Sequence, residues 1–183
     1  MSNESLMYLR TRLERIDRFG QFINSQGFSL TYNDEVSRKE GKGIFDYCVN
    51  NIEPNKRLTY VDAERDMWRP DNHFLFDFLT IPQWLQSLFS ATRFTLTPIF
   101  HDSACRFRGL WRWDKASGRW SFYQMTRLQV DSMGRDMIGA EGGTAWERLK
   151  FFVGVRAYAR CRYGMGDWRD KHDGRTSPRN VCL

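Results

Sequence analysis

The stretch "CRFRGLWRWDKASGRWSFYQMTRLQV", residues 105–130, constrains the fold more than any other part of the chain. Aromatic and basic residues alternate up to Asp-Lys-Ala-Ser-Gly and resume after it, the pattern of two antiparallel strands joined by a tight turn. With Lys115 to Gly118 as the turn, Asp114 stands opposite Arg119, Trp113 opposite Trp120 and Trp111 opposite Phe122. One face then carries Phe107, Trp111, Trp113, Trp120, Phe122, Leu128 and Val130, and reads as the core face. The other carries Arg106, Arg108, Leu110, Arg112, Arg119, Tyr123, Met125 and Arg127. In this register Arg106 faces Arg127, and opposed like charges destabilise a sheet unless an anion or a carboxylate lies between them.

The rest of the chain supplies cover for such a sheet. Leu6, Leu9, Leu13, Ile16 and Ile23 recur at helical spacing, predicting an amphipathic helix over residues 4–24. "GFSLTY" and "RLTYVD" have strand character, "SRKEGKG" (37–43) reads as a polar loop, and "IFDYCVNNI" fits either state. "NHFLFDFL" is read as helix because Phe74, Leu75, Phe78 and Leu79 share one face, although Phe74, Phe76 and Phe78 also alternate. Thr80 with Gln83 predicts a capped helix over 81–91, and "RFTLTPIF" a strand bent or edged at Pro98. "VDSMGRDMIGAEGG" carries four glycines and reads as a loop, after which Thr144 and Glu147 form a capping box opening a helix to Tyr163. That helix is apolar nearly all round its first half, so burial against the sheet is expected.

The expected fold is therefore α+β: an antiparallel sheet with strands near 57–62, 93–100, 105–113 and 119–130, covered on one face by helices. A curved, cone-like sheet enclosing a pocket is one version of it. At 183 residues the chain has room for one domain, 1–163, followed by a polar tail, 164–183, whose one large apolar group is Trp168.

Composition narrows the function classes. Net charge is +6, and arginine outnumbers lysine 22 to 6, a bias toward carboxylate and phosphate partners that a GC-rich coding sequence also produces. The four cysteines show no metal-ligand spacing, which predicts no zinc site, no disulfide framework and a reducing compartment. The first residues lack a signal peptide's apolar centre, and Asp77, Pro82, Gln83 and Gln86 interrupt the most apolar run. A soluble, intracellular protein without a membrane span is expected.

Catalytic motifs are weak. "GAEGGT" lacks the lysine of a phosphate loop, and the alternating Asp62, Glu64 and Asp66 read as a solvated edge rather than a metal site. His101, Asp102 and Ser103 are neighbours in sequence, which does not make a triad. No cofactor, metal or catalytic residue is expected. The reading that remains is a non-catalytic binding or structural protein, an accessory subunit of a larger assembly of protein subunits. It would dock through Arg106, Arg108, Arg112, Arg119, Tyr123 and Arg127, with Trp168 anchoring the tail. The alternatives are an RNA- or single-strand-binding protein using the same arginines, and a small-ligand enzyme or binding domain with a pocket between sheet and helices.

Overall fold

The computed structural model describes residues 17–24, 28–40, 45–48, 57–76 and 93–163. In chain order the elements are β1 (Gln21–Ile23), β2 (Ser29–Tyr32), α1 (Asp34–Glu40), β3 (Phe45–Cys48), β4 (Thr59–Val61), β5 (Met67–Arg69) and β6 (Phe74–Phe76). Then follow α2 (Leu96–Phe107), β7 (Gly109–Asp114), β8 (Arg119–Gln124), α3 (Arg127–Ala140) and α4 (Ala145–Tyr163). They make a five-stranded sheet, β1-β4-β5-β7-β8, and a three-stranded sheet, β2-β3-β6, with every pair antiparallel. The architecture is α+β.

The β7–β8 hairpin has the expected register, Asp114 with Arg119, Trp113 with Trp120 and Trp111 with Phe122. Asp114 shapes its turn: the carboxylate accepts from the Ala116 N–H at 3.0 Å and the Ser117 N–H at 3.3 Å, and Gly118 supplies φ +65°. The strands are shorter than expected and their faces are exchanged. Leu110 is fully buried against Ile99, Phe100 and Ala104 of α2, whereas Trp111, Trp113, Trp120 and Phe122 lie on the opposite face, half-buried. Both faces carry apolar side chains, so alternation alone does not say which one the helices cover; α2 and α3 decide it.

Several further expectations are corrected. Residues 93–100 are not a strand: Leu96 opens α2, with Pro98 tolerated in its first turn. The cap of α2 is invisible locally, because Thr95 makes no side-chain cap bond. Instead Glu141 accepts from the backbone N–H groups of Thr95, Leu96 and Thr97 at 3.0, 3.0 and 2.9 Å and from the Thr97 hydroxyl at 2.6 Å. Residues 105–107 finish α2, and Arg108 turns the chain into β7 with φ 62°.

Residues 127–140 are helix, not strand or loop. Thr126 and Gln129 form a capping box, with Gln129 N to Thr126 Oγ1 at 3.2 Å and Thr126 N to Gln129 Oε1 at 2.8 Å. The glycines of α3 admit rings rather than turns: a Cβ on Gly134 would stand 2.7 Å from Phe151, and one on Gly139 2.6 Å from Phe19.

Elsewhere, Gln21–Ile23 is strand rather than the end of a helix, and α1 occupies residues 37–40 of the expected loop. Asn33 caps α1 through the Val36 N–H at 3.0 Å. Phe74–Phe76 pairs with β3 as strand, not helix. The Thr144–Glu147 capping box does open α4, with Thr144 N to Glu147 Oε2 at 2.8 Å. However, α4 packs on α3 through Phe151, Val155 and Ile138 rather than on the sheet. Residues 4–16 of the expected 4–24 helix, the expected helix over 81–91 and the tail 164–183 lie outside the described residues.

Candidate functional site

The structure scatters the arginine row. Arg106 lies in α2 and donates to the Leu75 carbonyl at 3.1 Å, while Arg127 opens α3 and donates through Nε to Asp131 at 3.0 Å. They are not cross-strand neighbours, so the expected Arg106–Arg127 opposition is corrected: the strand register ends before either residue. Arg112 pairs with Asp66 and sits over the Trp68 and Tyr123 rings, 5.4 Å from each centroid. Arg108, Arg119 and Tyr123 are exposed, and Trp168 lies outside the described residues. With Arg112 and Arg127 already engaged by carboxylates of this chain, the row offers less attraction to an outside anion than its sequence implies.

Asp131 is the centre of a buried network that sequence reasoning missed. Its carboxylate, 0% exposed, takes His101 Nε2 at 3.0 Å from α2, Arg127 Nε at 3.0 Å from α3 and Arg156 Nη1 at 3.4 Å from α4. Burial opposes charge on both partners. Even so, the Cys105, Asp102 and Asp131 groups facing His101 hold its pKa well above the usual value, and His101 and Arg127 hold the Asp131 carboxyl below its own. The i,i+4 spacing of Arg127 and Asp131 was the available signal, hidden because the segment reads as strand.

This network is not a nucleophilic triad. Cys105 Sγ lies 3.7 Å from His101 Nδ1 and 3.8 Å from Nε2, equidistant from both ring nitrogens and so in line with neither. The Ser103 hydroxyl accepts from the Asp71 N–H at 2.8 Å. Three helices meet at one carboxylate, which is a structural device.

A cleft of about 440 Å³ opens between the helix-covered face and α3 and contains Arg18, Tyr60, Trp68, Arg112 and Gln129 in its walls. Two of its carboxylates, Asp62 and Asp66, are already engaged. Asp62 accepts from Trp68 Nε1 at 2.7 Å and the Asp66 N–H at 2.8 Å; Asp66 binds Lys115 at 2.9 Å besides Arg112. Burial raises the Asp66 pKa, but the Lys115 and Arg112 hydrogen bonds outweigh it and hold the carboxyl below its usual value. No group of three His, Cys, Asp or Glu side chains able to hold a metal is found among the described residues.

The opposite face of the sheet holds a second polar group. Arg69 donates through Nε to Thr59 Oγ1 at 2.9 Å and stacks 4.0 Å over the Trp120 ring. Burial, reinforced by the charge of Arg57, lowers the Arg69 pKa to about 9. Tyr47, 1% exposed, feels both arginines, and burial raises its phenol. The Tyr47 hydroxyl and the Arg57 Nε are buried without a hydrogen-bond partner. Neither guanidinium meets a carboxylate among the described residues.

The α4 surface is the third feature. Trp146, Leu149 and Val153 are 64%, 49% and 54% exposed, while Phe151 and Val155 are buried about 200° around the helix from Val153. No helix among the described residues is long and apolar enough to cross a membrane. The fold and its surfaces define an α+β domain and no narrower class. Comparison with protein families, with characterised proteins and with solved structures gives no match.

Proposed function

We propose that the protein is a non-catalytic binding subunit of a larger assembly, with α4 as its docking helix. The observation that supports this reading is the stripe Trp146, Leu149 and Val153, spaced i, i+3, i+7 and left in water on the side away from α3. Trp is a frequent interface anchor, and three apolar side chains on one helical line are the pattern of helix-to-helix recognition. Lys150 borders the stripe, its ammonium 5.9 Å from the Trp146 ring centroid. The partner that fits presents an apolar face with a carboxylate placed to meet Lys150. Exposed Arg119 and the Trp168-bearing tail are further contacts in this reading.

Native affinity capture with nuclease-treated controls tests it, comparing wild type with Leu149→Lys. The expected outcome is a protein partner that survives nuclease and is lost on substitution. Recovery that depends on nucleic acid, or an unchanged partner set, refutes the docking role and favours the RNA-binding alternative or none.

A further inference from the structure

We propose that the cleft between the five-stranded sheet and α3 binds a small organic amine, with Asp62 taking its ammonium group. The cleft is separate from the α4 stripe, and its occupation does not depend on the docking role of that helix.

Geometry assembles the site. Tyr60 and Trp68 are cross-strand partners of β4 and β5 on the helix-covered face, and with Met125 they make a buried floor. Gln129, Ser132, Met133 and Asp136 form the facing wall, at positions i, i+3, i+4 and i+7 on one side of α3. The turn from β4 to β5 brings Asp62 and Glu64 to the edge. A Cβ on Gly20 would stand 2.9 Å from both the Tyr60 hydroxyl oxygen and the Asp62 Cα, so the phenol and the acid share one corner. The volume, about 440 Å³, suits a small molecule.

The hydrogen bonds already made select the ligand. The Tyr60 hydroxyl donates to the Phe19 carbonyl at 2.6 Å, and Trp68 Nε1 donates to Asp62 at 2.7 Å. What these groups still offer is lone pairs, on the phenol oxygen and on a carboxylate held in place by Trp68 and by the Asp66 N–H at 2.8 Å. Acceptors call for a donor, and an ammonium brings three. The rest of the ligand lies against Trp68, Met125 and Met133, which favours an apolar body.

Charge points the same way. The walls carry four carboxylates, Asp62, Glu64, Asp66 and Asp136, against two guanidinium groups, Arg18 and Arg112. Arg112 and Lys115 neutralise Asp66, and Arg135 meets Asp136 at 3.0 Å. Asp62 is held by neutral donors, and exposed Glu64 meets no cation among the described residues. Arg18 is exposed, so water screens its charge more than that of half-buried Asp62. Burial raises the Tyr60 phenol pKa, and the charges of Asp136, Asp62 and Glu64 raise it further, which marks a negative potential at the floor.

Isothermal titration with phenethylamine, its neutral isostere phenethyl alcohol, the anion phenylacetate and acetyl-lysine amide with a free side-chain amine tests the assignment. Phenethylamine is expected to bind, and the alcohol and the anion to bind at least roughly tenfold more weakly. Asp62→Asn, which removes the charge and keeps the shape, should weaken the amine about tenfold or more. Ser132→Trp, which fills the cleft from α3 without touching a charge, should abolish binding, whereas Gly118→Asn on the hairpin turn should leave it unchanged. Thermal melts confirm that each variant is folded, and the ligand panel with Ser132→Trp decides the matter if Asp62→Asn is not. No binding of phenethylamine by wild type at about 10 mM ligand, tighter binding of phenylacetate, or unaltered amine binding in folded Asp62→Asn or Ser132→Trp overturns the proposal. Tighter binding of the lysine amide than of phenethylamine also overturns it, by assigning the cleft to a partner's side chain instead of a small molecule.

Discussion

Replacing Asp131 by Asn should be among the most damaging single changes available in the three-helix region. The carboxylate is 0% exposed and takes His101 and Arg127 at 3.0 Å and Arg156 at 3.4 Å. An amide of the same shape still accepts one or two hydrogen bonds but cancels no charge, leaving cations from three helices facing one another. Breaking a buried ion pair by removing one partner costs about 3–5 kcal/mol. For a chain of this size that corresponds to a fall in melting temperature of about 6–20 °C. Urea denaturation followed by far-ultraviolet circular dichroism gives the value directly, provided the slope against denaturant is unchanged.

The same substitution should alter the pH dependence of stability. His101 has a folded pKa above its unfolded value, so its contribution is fully present below about pH 6.5 and is lost as pH rises through the folded pKa. Asp131 has a depressed folded pKa, so its contribution is present above about pH 3.9 and is lost as pH falls through the folded value. Wild type should therefore be most stabilised by this pair between the two losses, and Asp131→Asn should lack the decline on the alkaline side. A loss below about 1 kcal/mol, or a His101 ring that titrates by NMR at the same pH in both proteins, would falsify the view of Asp131 as the helix-binding charge.

Three other outcomes are expected. Gly134→Ala should destabilise by about 1–3 kcal/mol despite alanine's better helix propensity, because its Cβ would meet the Phe151 ring at 2.7 Å; thermal melting checks this, and an increase in stability contradicts the packing. Glu141→Ala should cost about 2 kcal/mol through the lost cap of α2, and hydrogen exchange should speed up at Leu96 and Thr97, whose N–H groups it holds. Gly118→Asn should be nearly neutral and Gly118→Val clearly destabilising, since φ +65° suits Asn far better than a β-branched residue; equal melting temperatures for the two variants would contradict the turn geometry.

Local signals were legible where the interaction that fixes the structure is itself local. The hairpin register follows from the Asp-Lys-Ala-Ser-Gly turn, and the start of α4 from Thr144 and Glu147. Legibility ends where a distant residue decides. Residues 93–100 carry β-branched and aromatic residues with a proline and no side-chain cap of their own, and become helical with a carboxylate from residue 141 on their first N–H groups. Gly134 and Gly139 look like loop punctuation until Phe151 and Phe19 occupy the space they leave. Phe74–Phe76 fits either period, and pairing with β3 selects the strand.

The candidate site followed the same division. A row of arginines is visible in sequence, but Arg112 is neutralised by Asp66, 46 residues away, and Arg127 by Asp131, a local partner that is legible only once the segment is read as helix.

The Glu141 cap also fixes an order of events during synthesis. The first turn of α2 comes off the ribosome more than forty residues before the carboxylate that satisfies its N–H groups. Until residue 141 has cleared the exit tunnel, those donors are left to water, and a short helix without its cap is marginal. Hydrophobic collapse of Ile99 and Phe100 onto the hairpin can begin earlier, but the start of α2 locks only when the α3–α4 junction arrives. A nascent chain stalled before that point is therefore a protein with its central sheet largely assembled and the entrance to its covering helix still open.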